Sequence, residues 1–474
     1  MRGSSSRALA LDALRGLSVF LMILSSSIPF GVLPDWMYHA QVPPPDHRFI
    51  PTLPGITWVD LVFPFFLFSM GAAIPFALSR RLEQGMPRWR AVLGILERGF
   101  LLAAFAIYDE HIRPWRMNGG FENMPVWIEW VGLLGFALLI PMFVQLPRDW
   151  NSWVKVLVRA GGWAGAALFM YLIRYPDGSG FSLYRSDIII LVLANMAVFA
   201  ALVWLVTRFH VVVRIGVLGI LIALRVSSGV DGWIHTAWQM SPAPWLFRFD
   251  FLKYLFIVIP GTIVGDLVLS WMKSGPQDEK EGPGWPAFRF VLICGLMILL
   301  NVILVSGLKA RWIVETTACG VALASGGLAL FLKPVTKLER LMQTLYWWAV
   351  YFLVVGLFFE PFEGGIKKDP STLSYYFLTT GLAIGTLIFF MVVIDVFRGK
   401  RWVNLFIESG QNPLVAYAGI NNLIRPLLGL TGLGALLDMA FVTPWLGVIK
   451  GFFVTTLVSF SASLFTKAKV FLRT

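Results

Sequence analysis

Long apolar windows recur along the chain and constrain its fold more than any other feature. Each of the windows is about 20 residues long, which is enough to cross the hydrocarbon core of a bilayer as a helix. They lie near residues 12–31, 57–78, 91–109, 125–146, 154–173, 187–207, 213–230, 251–272, 288–307, 313–333, 341–359, 374–396, 405–428 and 440–466. Because several are short or interrupted by Gly and Pro, the sequence predicts about 11–14 transmembrane helices. We therefore expect an all-α, polytopic integral membrane protein whose helices surround a central cavity.

The composition agrees with this class and excludes several others. Of the 474 residues, 57% are hydrophobic and 14% are charged, whereas soluble proteins carry about 25% charged residues. The net charge of +12 comes from basic residues that alternate with apolar spans, so we interpret it as a topology signal and expect no nucleic-acid partner. The two cysteines, Cys294 and Cys319, lie inside apolar runs, which argues against a disulfide framework and a cysteine-based zinc site. No metal is predicted.

The distribution of Lys and Arg predicts the topology. Alternate loops differ in basic residues by roughly two to one, and the richer set includes both ends of the chain. We therefore expect a multi-pass protein of the cell inner membrane with both termini in the cytoplasm, and no cleavable signal peptide at residues 1–14. The whole chain, 1–474, is interpreted as a single transmembrane domain. Its polar segment 273–287 is interpreted as a tether between two helical halves.

An extracytoplasmic loop and the apolar span that follows it contain the first candidate site. This loop carries His39 and His47, and the span opens with Asp60. A neutral imidazole can accept and return a proton or carry an acyl group, and a carboxylate beside it can fix its tautomer. Either histidine is a candidate, and the alternative is an ordinary solvated loop histidine.

Charged residues also occur at or inside other spans. Asp12 and Arg15 are three residues apart near the start of the first span, so they share one helix face and can pair. They act either as a helix cap with a membrane anchor or as part of a cofactor channel. Charged groups such as Glu97, Glu129 and Asp266 within spans are expected to face the bundle interior and pair there, because lipid does not solvate them.

Four blocks of the sequence resemble a known family. They are LDALRGL at 11–17, His39-Ala40 followed by DLVFPFF at 60–66, Lys367-Lys368 followed by LTTGLA at 378–383, and GQNPLVAY at 410–417. In this order they resemble the heparan-α-glucosaminide N-acetyltransferase family of transmembrane acyl-transfer proteins, in its bacterial branch.

The resemblance implies a donor, an acceptor and roles for specific residues. The donor would be acetyl-CoA or another acyl-CoA from the cytoplasm, and the acceptor a saccharide or glycoconjugate at the outer face. His39, the histidine before Ala in the first outer loop, would be the catalytic base or a transient acyl carrier, and Asp60 would orient it. His39 precedes Asp60 by a longer insertion than is usual in the family, so His47 is a rival for the catalytic role.

The expected cofactor-binding residues are chosen because their positions in the sequence put them near the inner face. Arg15, Arg98 and Arg289 are candidates for binding the CoA phosphates, and Asp12 and Asn412 are expected to line the same site. The chain departs from the family pattern at Ser26 and at Glu129-Trp130, positions at which the family carries Asn and Gln-Arg.

The sequence therefore predicts a membrane-bound acyltransferase that moves an acetyl or short acyl group from cytoplasmic acyl-CoA to an extracytoplasmic sugar amine or hydroxyl. Two alternatives remain open. One is a transporter or flippase of a glycolipid or small solute, coupled through Glu97, Glu129 and Asp266. The other is a non-catalytic membrane scaffold that has kept the fold. The acceptor, the acyl chain length and a homodimeric state are left open by the sequence.

Overall fold

The computed structural model describes residues 8–147, 149–274 and 284–474. In these ranges the regular structure is helical, and strand-like pairing is limited to isolated bridges. The helices are α1 (Leu9–Ser27), α2 (Trp58–Glu83), α3 (Arg88–His111), α4 (Pro114–Asn118), α5 (Val126–Phe143), α6 (Ser152–Leu172), α7 (Ile188–Thr207), α8 (Val211–Ser227), α9 (Trp233–Trp238), α10 (Leu255–Lys273), α11 (Ala287–Ala310), α12 (Ile313–Gly327), α13 (Lys337–Phe362), α14 (Leu373–Met391), α15 (Lys400–Gln411), α16 (Pro413–Gly419), α17 (Arg425–Leu430), α18 (Leu433–Ala440) and α19 (Pro444–Lys467).

Eleven helical segments in the described part of the chain are long and apolar enough to cross a membrane. They are α1, α2, α3, α5, α7, α10 with its preceding turn, α11, α12 with its following turn, α13, α14 with its following turn, and α19. A further pair, Pro413–Leu430 and Leu433–Ala440, passes the same test when taken together and is bent by 87°, as in a broken span or a re-entrant loop. The prediction of an all-α polytopic membrane protein is confirmed, and the count lies in the predicted range. Residues 275–283 of the predicted tether lie outside the described ranges.

Helix α6 extends alongside α5, although it is less apolar than the eleven segments. Near its start, Arg159 donates to the carbonyl oxygens of Pro141 (3.3 Å) and Val144 (2.5 Å) at the end of α5. Just beyond its other end, the hydroxyl of Tyr175 donates to the carbonyl of His111 at the end of α3 (3.3 Å). Because α5 and α3 end at opposite faces of the bundle, α6 passes from one face to the other.

Both ends of the described chain lie at one face of the bundle, which we call the terminal face. Asn412, directly after α15, donates from Nδ2 to the carbonyl of Val470 in the C-terminal tail (2.7 Å). The neighbouring Gly410 lies against the backbone of Asp12, in the first turn of α1. The opposite face, where α1 ends and α2 begins, is called the loop face. Which face is cytoplasmic stays a prediction.

The middle of the bundle is tightly packed around α14, which is buried along almost its entire length. Next to it, α2 and α10 approach so closely that a Cβ on Gly261 would lie 2.5 Å from the carbonyl oxygen of Phe68, and one on Gly265 would lie 2.3 Å from that of Ala72. Small residues of this kind allow membrane helices to pack backbone against backbone. The core is therefore filled where α2 and α10 meet beside α14, and the cavities described below open at the two faces. A central cavity elsewhere in the bundle stays a prediction.

Candidate active site

The side chains of His39 and Asp60 are in direct contact at the loop face. Nδ1 of His39 lies 2.8 Å from Oδ1 of Asp60. The Asp60 side chain is 2% exposed, whereas that of His39 is 42% exposed. A carboxylate that accepts the Nδ1 proton leaves Nε2 as the nitrogen with a free electron pair. This contact is the one expected if Asp60 fixes the tautomer of His39.

The first turn of α2 holds the Asp60 carboxylate in place. Thr57 precedes the helix and Asp60 is its third residue, the spacing at which an acidic side chain reaches back to the helix start. Oδ2 of Asp60 accepts hydrogen bonds from the backbone N–H groups of Thr57 (3.0 Å) and Ala40 (3.1 Å). The hydroxyl of Thr57 donates to the carbonyl of Tyr38 (2.6 Å). The loop that carries His39 is thereby fixed to the start of α2.

Lys368 reaches the same pair from the loop between α13 and α14. Its Nζ lies 3.2 Å from Nδ1 and 3.4 Å from Nε2 of His39, and 3.9 Å from Oδ1 of Asp60. Gln41 fastens the two loops together. Its side-chain amide donates to the carbonyl of Asp369 (2.5 Å) and accepts from the backbone N–H of Asp369 (2.9 Å). Three distant parts of the chain therefore form one site.

Burial changes the acid–base behaviour of Lys368. Removal from water lowers the pKa of its ammonium group, although the carboxylates of Asp60 and Asp369 counteract this effect. While charged, the ammonium can stabilise negative charge that develops on an oxygen beside His39. Because its pKa is lowered, it loses its proton at a lower pH than a solvated lysine does.

The start of α14 is anchored beneath the site. The hydroxyl of Tyr375 donates to the backbone carbonyl of Asp60 (2.7 Å). The carboxylate of Glu363 accepts from the backbone N–H groups of Leu373 (2.7 Å) and Ser374 (2.8 Å), which satisfies two donors at the start of the helix. The loop bearing Lys368 is thus held at both of its ends.

His47 lies in a different environment from His39. Its ring packs against the rings of Tyr38 and Phe30, with centroid distances of 4.9 and 5.0 Å. Both ring nitrogens are buried and have no hydrogen-bond partner among the described residues. The Asp60 carboxylate contacts His39, so the geometry favours His39 over its rival.

The predicted pair of Asp12 and Arg15 forms close to the terminal face. Nη1 of Arg15 lies 3.3 Å from Oδ1 of Asp12, and the guanidinium also donates to the carbonyls of Gly410 (3.2 Å) and Ser69 (3.2 Å). These hydrogen bonds join α1 to α2 and α15. A cofactor role for this pair stays a prediction.

Arg98 lines a cavity of about 310 Å³ at the terminal face. The lining includes two further basic residues, Arg81 and Arg90, together with Glu97 and the C-terminal residue Thr474. Nε of Arg98 is buried and has no hydrogen-bond partner among the described residues. Clustered guanidinium groups attract and bind phosphates, so the residues here fit the phosphates of a CoA donor.

Arg289 and Asn412 have packing roles that sequence reasoning did not foresee. Arg289 donates to the carbonyls of Leu330 (2.7 Å) and Leu332 (2.6 Å), where a cation satisfies the end of a helix. Asn412 is fully buried, and its amide binds Val470 and Leu472 of the C-terminal tail. Neither residue lines the cavity of Arg98.

The carboxylates considered for a coupled transporter lie in three separate places. Asp266 pairs with the fully buried Arg214 (2.7 Å) and accepts from Nε1 of Trp204 (3.0 Å). Glu97 lines the cavity at the terminal face, and Glu129 lines a cavity at the loop face. They form no continuous path among the described contacts.

Lys368 and Gln41 are the site residues that sequence reasoning missed. Lys368 was noted only as part of a block resembling the family, and Gln41 was not noted. A signal for Lys368 existed, because two consecutive lysines stand in a loop that belongs to the alternate set with fewer basic residues. Nothing in the sequence indicates the partner of Gln41, which is 328 residues away.

Comparison with known proteins gives one family and two similar enzymes. The family model "Domain of unknown function (DUF5009)" matches residues 7–268. The chain is 26% identical over 194 residues to heparan-alpha-glucosaminide N-acetyltransferase of Homo sapiens, which is 36% of this chain and 27% of that protein. It is 23% identical over 198 residues to the protein of the same name from Mus musculus, which is 37% of this chain and 28% of that protein.

The likeness to these enzymes is distant and partial. The match spans little more than a quarter of the length of either acetyltransferase. The family match contains His39 and Asp60, but ends before the loop of Lys368.

Proposed function

This chain belongs to the family described as Domain of unknown function (DUF5009), and from its site we propose that it is a membrane-bound acyltransferase. It moves an acetyl or other short acyl group from acyl-CoA to the amine or hydroxyl of a sugar. The observation that supports this most directly is the contact between the buried Asp60 carboxylate and the half-exposed imidazole of His39. The distant similarity to two transmembrane acetyltransferases agrees with acyl transfer.

In the proposed reaction, His39 acts as a general base. Nε2 takes a proton from the acceptor amine or hydroxyl as its nitrogen or oxygen attacks the thioester carbonyl. A tetrahedral intermediate forms, the carbon–sulfur bond then breaks, and the imidazolium returns the proton to the departing thiolate of CoA. Asp60 keeps the ring oriented and stabilises the imidazolium through Nδ1.

Lys368 stabilises the negative oxygen of the tetrahedral intermediate. Its ammonium lies 3.2 Å from Nδ1 and 3.4 Å from Nε2 of His39, so it is close to an oxygen that reacts beside this ring. A fixed positive charge at this place lowers the energy of the transition state more than that of the neutral substrate.

The donor binds with its phosphates at the terminal face, next to Arg81, Arg90 and Arg98. Asp60 and Arg81 are both on α2 and, at 1.5 Å per helical residue, lie about 32 Å apart. The phosphates and the thioester are therefore near opposite ends of this helix. We assign the terminal face to the cytoplasm. The acyl group then reaches the loop face, while the nucleotide of CoA remains at the cytoplasmic face.

The test uses the full-length protein in nanodiscs with radiolabelled acetyl-CoA and glucosamine as the acceptor. Release of CoA and transfer of the label are measured for wild type, His39→Ala and the matched control His47→Ala. We expect a loss of about 100-fold or more in His39→Ala, since general bases contribute 10²–10⁴-fold, and a rate close to wild type in His47→Ala.

Other outcomes reassign or reject the function. Loss only in His47→Ala would keep acyl transfer and move the base to His47. Absence of acyl-CoA binding and of CoA release with acetyl-CoA and longer acyl-CoAs would reject the enzyme. If the protein is instead a transporter coupled through buried carboxylates, His39→Ala should leave its transport rate unchanged.

A further inference from the structure

Two adjoining cavities open at the loop face, beside the end of α1. Their volumes are about 620 and 400 Å³. They share the lining residues Ser27, Trp115, Phe121, Asn421, Arg425 and Lys450. We call the joined space the vestibule. None of these residues takes part in the mechanism proposed above.

Arg425 places a positive charge on the wall of the vestibule without a matching carboxylate. Its guanidinium donates to Oδ1 of Asn421 (2.9 Å) and to the carbonyl of Ser26 (3.0 Å), and it lies 5.0 Å from the ring centre of Phe121. All three are neutral groups. Among the described residues, no carboxylate forms an ion pair with this guanidinium. A guanidinium carries five N–H donors in a planar fork that suits phosphate, and two of them are engaged here.

Two other cations at or near the vestibule are paired with carboxylates. Lys450 forms an ion pair with Asp438. Arg116, stacked over the ring of Trp115, is paired with Glu110 (2.6 Å). The carboxylate of Glu129 lies against the backbone at Gly429, on the wall formed by α17. Its Oε2 is buried without a hydrogen-bond partner among the described residues, so no cation neutralises it. Arg425 is therefore the cation of the vestibule whose remaining N–H donors can bind an anion.

Helix α18 forms the wall between the vestibule and the outside of the protein. Its exposed apolar residues resemble those of a helix at a membrane interface. None of its residues, all of which the structure describes, is buried. Leu436 and Met439 are 60% and 75% exposed, whereas Leu437 and Asp438 line the vestibule. Beyond the helix, Val442 is 77% exposed. Exposed apolar side chains beside a polar cavity in a membrane protein indicate contact with the bilayer.

We propose that the vestibule binds the anionic, phosphate-bearing headgroup of a membrane lipid, which enters sideways from the bilayer past α18. The phosphate binds Arg425, the polar remainder of the headgroup lies between Trp115 and Asn421, and the acyl chains stay against the exposed apolar side of α18. A soluble anion would gain nothing from that apolar side.

The vestibule adjoins the loop of His39. Pro29 lines the vestibule, and its carbonyl accepts a hydrogen bond from the hydroxyl of Tyr38 (2.8 Å), the residue before His39. A sugar attached to such a lipid would thus be presented near the catalytic histidine. That the lipid carries the acyl acceptor rests on the proposed function, whereas the headgroup site itself does not.

The test measures binding of phosphatidic acid to the full-length protein in detergent micelles by native mass spectrometry. Comparison with phosphatidylcholine shows whether binding requires an anionic headgroup. Comparison with glycerol 3-phosphate shows whether it requires the lipid chains. We expect saturable binding of phosphatidic acid, weaker binding of phosphatidylcholine, and displacement by glycerol 3-phosphate only at far higher concentration.

Three variants and a control locate the site. Arg425→Gln should weaken phosphatidic acid binding by about tenfold or more, which corresponds to the loss of a charge-assisted hydrogen bond, and Arg425→Lys should retain part of it. Asp438→Asn should strengthen binding, because it releases Lys450 from its carboxylate, and a gain cannot arise from misfolding. The control is Arg174→Gln, at an exposed arginine that donates to carbonyls of its own segment.

Equal binding by wild type and both Arg425 variants would overturn the proposal. Equal potency of glycerol 3-phosphate and phosphatidic acid would also overturn it, because the site would then serve soluble anions. Lipid binding is measured without turnover. If the protein binds phosphatidic acid but transfers no acyl group, the proposed acyltransferase activity is rejected and the headgroup site is retained.

Discussion

The Nζ of Lys368 lies 3.2 Å from Nδ1 of His39, although 329 residues separate them in the chain. His39 and Asp60 come from the first loop and the second helix, inside the region matched by the family model, whereas Lys368 lies beyond it. The site is therefore complete only when the C-terminal helices have packed onto the N-terminal ones. The hydrogen bonds between Gln41 and Asp369 hold this junction together.

Replacement of Asp60 by Asn should separate orientation of the base from stability of the fold. The Asn side chain keeps an oxygen for the backbone N–H groups of Thr57 and Ala40, but it loses the charge that fixes the His39 tautomer and stabilises its imidazolium. We expect kcat to fall about 10²–10⁴-fold with little change in KM. Steady-state kinetics with acetyl-CoA would measure this.

Asp60→Ala provides the comparison for stability. It removes the acceptor oxygens as well, so its melting temperature in detergent should lie below those of wild type and Asp60→Asn. If Asp60→Asn retained the wild-type rate, the carboxylate would serve only as a helix cap.

Replacement of Lys368 by Arg should alter the alkaline side of the pH–rate profile. Burial lowers the pKa of Lys368, so the wild-type protein loses this positive charge at a lower pH than the usual lysine value of about 10.4. Arginine stays charged throughout that range. We therefore expect kcat/KM to decline with rising pH in wild type and to decline at higher pH, or not at all, in Lys368→Arg.

The neighbouring residue supplies the control for this experiment. Lys367 donates to the carbonyl of Glu363 (3.3 Å) and does not contact His39 among the described interactions. Lys367→Arg should leave the profile unchanged. An alkaline decline at the same pH in wild type and Lys368→Arg would show that the charge of Lys368 is not required.

The sequence was sufficient to predict the fold class, and its resemblance to a family led us to expect a contact between His39 and Asp60. Apolar windows report directly on membrane helices, because lipid requires every backbone polar group to be satisfied within the helix. The loop that leads into α2 carries both His39 and His47, and the resemblance to a family is what favoured His39. The first inference depends on local features of the chain and the second on that resemblance.

The roles of distant residues could not be predicted in the same way. Arg289 and Asn412 look like polar groups available to a cofactor, but their partners, Leu330 and Val470, are backbone carbonyls 41 and 58 residues away. A backbone carbonyl is present at every residue, so the sequence carries no signal for such a pairing. The same holds for Lys368 and Gln41, whose positions are set by helix packing.

Replacement of Arg98 and of Arg289 should have different consequences, although both were predicted to bind phosphates. Arg98 lines a cavity with Arg81 and Arg90, so Arg98→Gln should raise KM for acetyl-CoA by about tenfold or more and leave the melting temperature almost unchanged. Arg289→Gln leaves the carbonyls of Leu330 and Leu332 without their donor. It should lower the melting temperature and leave KM close to wild type.

A dephospho form of the donor sharpens the assignment of Arg98. Dephospho-CoA lacks one phosphate, so acetyl-dephospho-CoA should bind more weakly to wild type, and the difference should shrink in Arg98→Gln if that phosphate is the partner. Equal changes in KM for both arginine variants would contradict the separate roles that we assign.

Substitution of Gly410 by Ala should loosen the contact between α1 and α15. A Cβ on Gly410 would lie 1.9 Å from the carbonyl oxygen of Asp12 and 2.8 Å from the backbone nitrogen of Gly16. These are backbone atoms, so the helices must move apart, and the hydrogen bond from Arg15 to the carbonyl of Gly410 (3.2 Å) is strained at the same time. We expect a loss of about 1–3 kcal/mol in unfolding free energy, typical of overpacking in a tight core. The matched control is Gly295→Ala. A Cβ at Gly295 meets no atom within 4 Å, and alanine favours the helix. Thermal unfolding in the same detergent should therefore give a lower midpoint for Gly410→Ala and an equal or higher one for Gly295→Ala, and equal midpoints for the two variants would refute the close contact of the two helices.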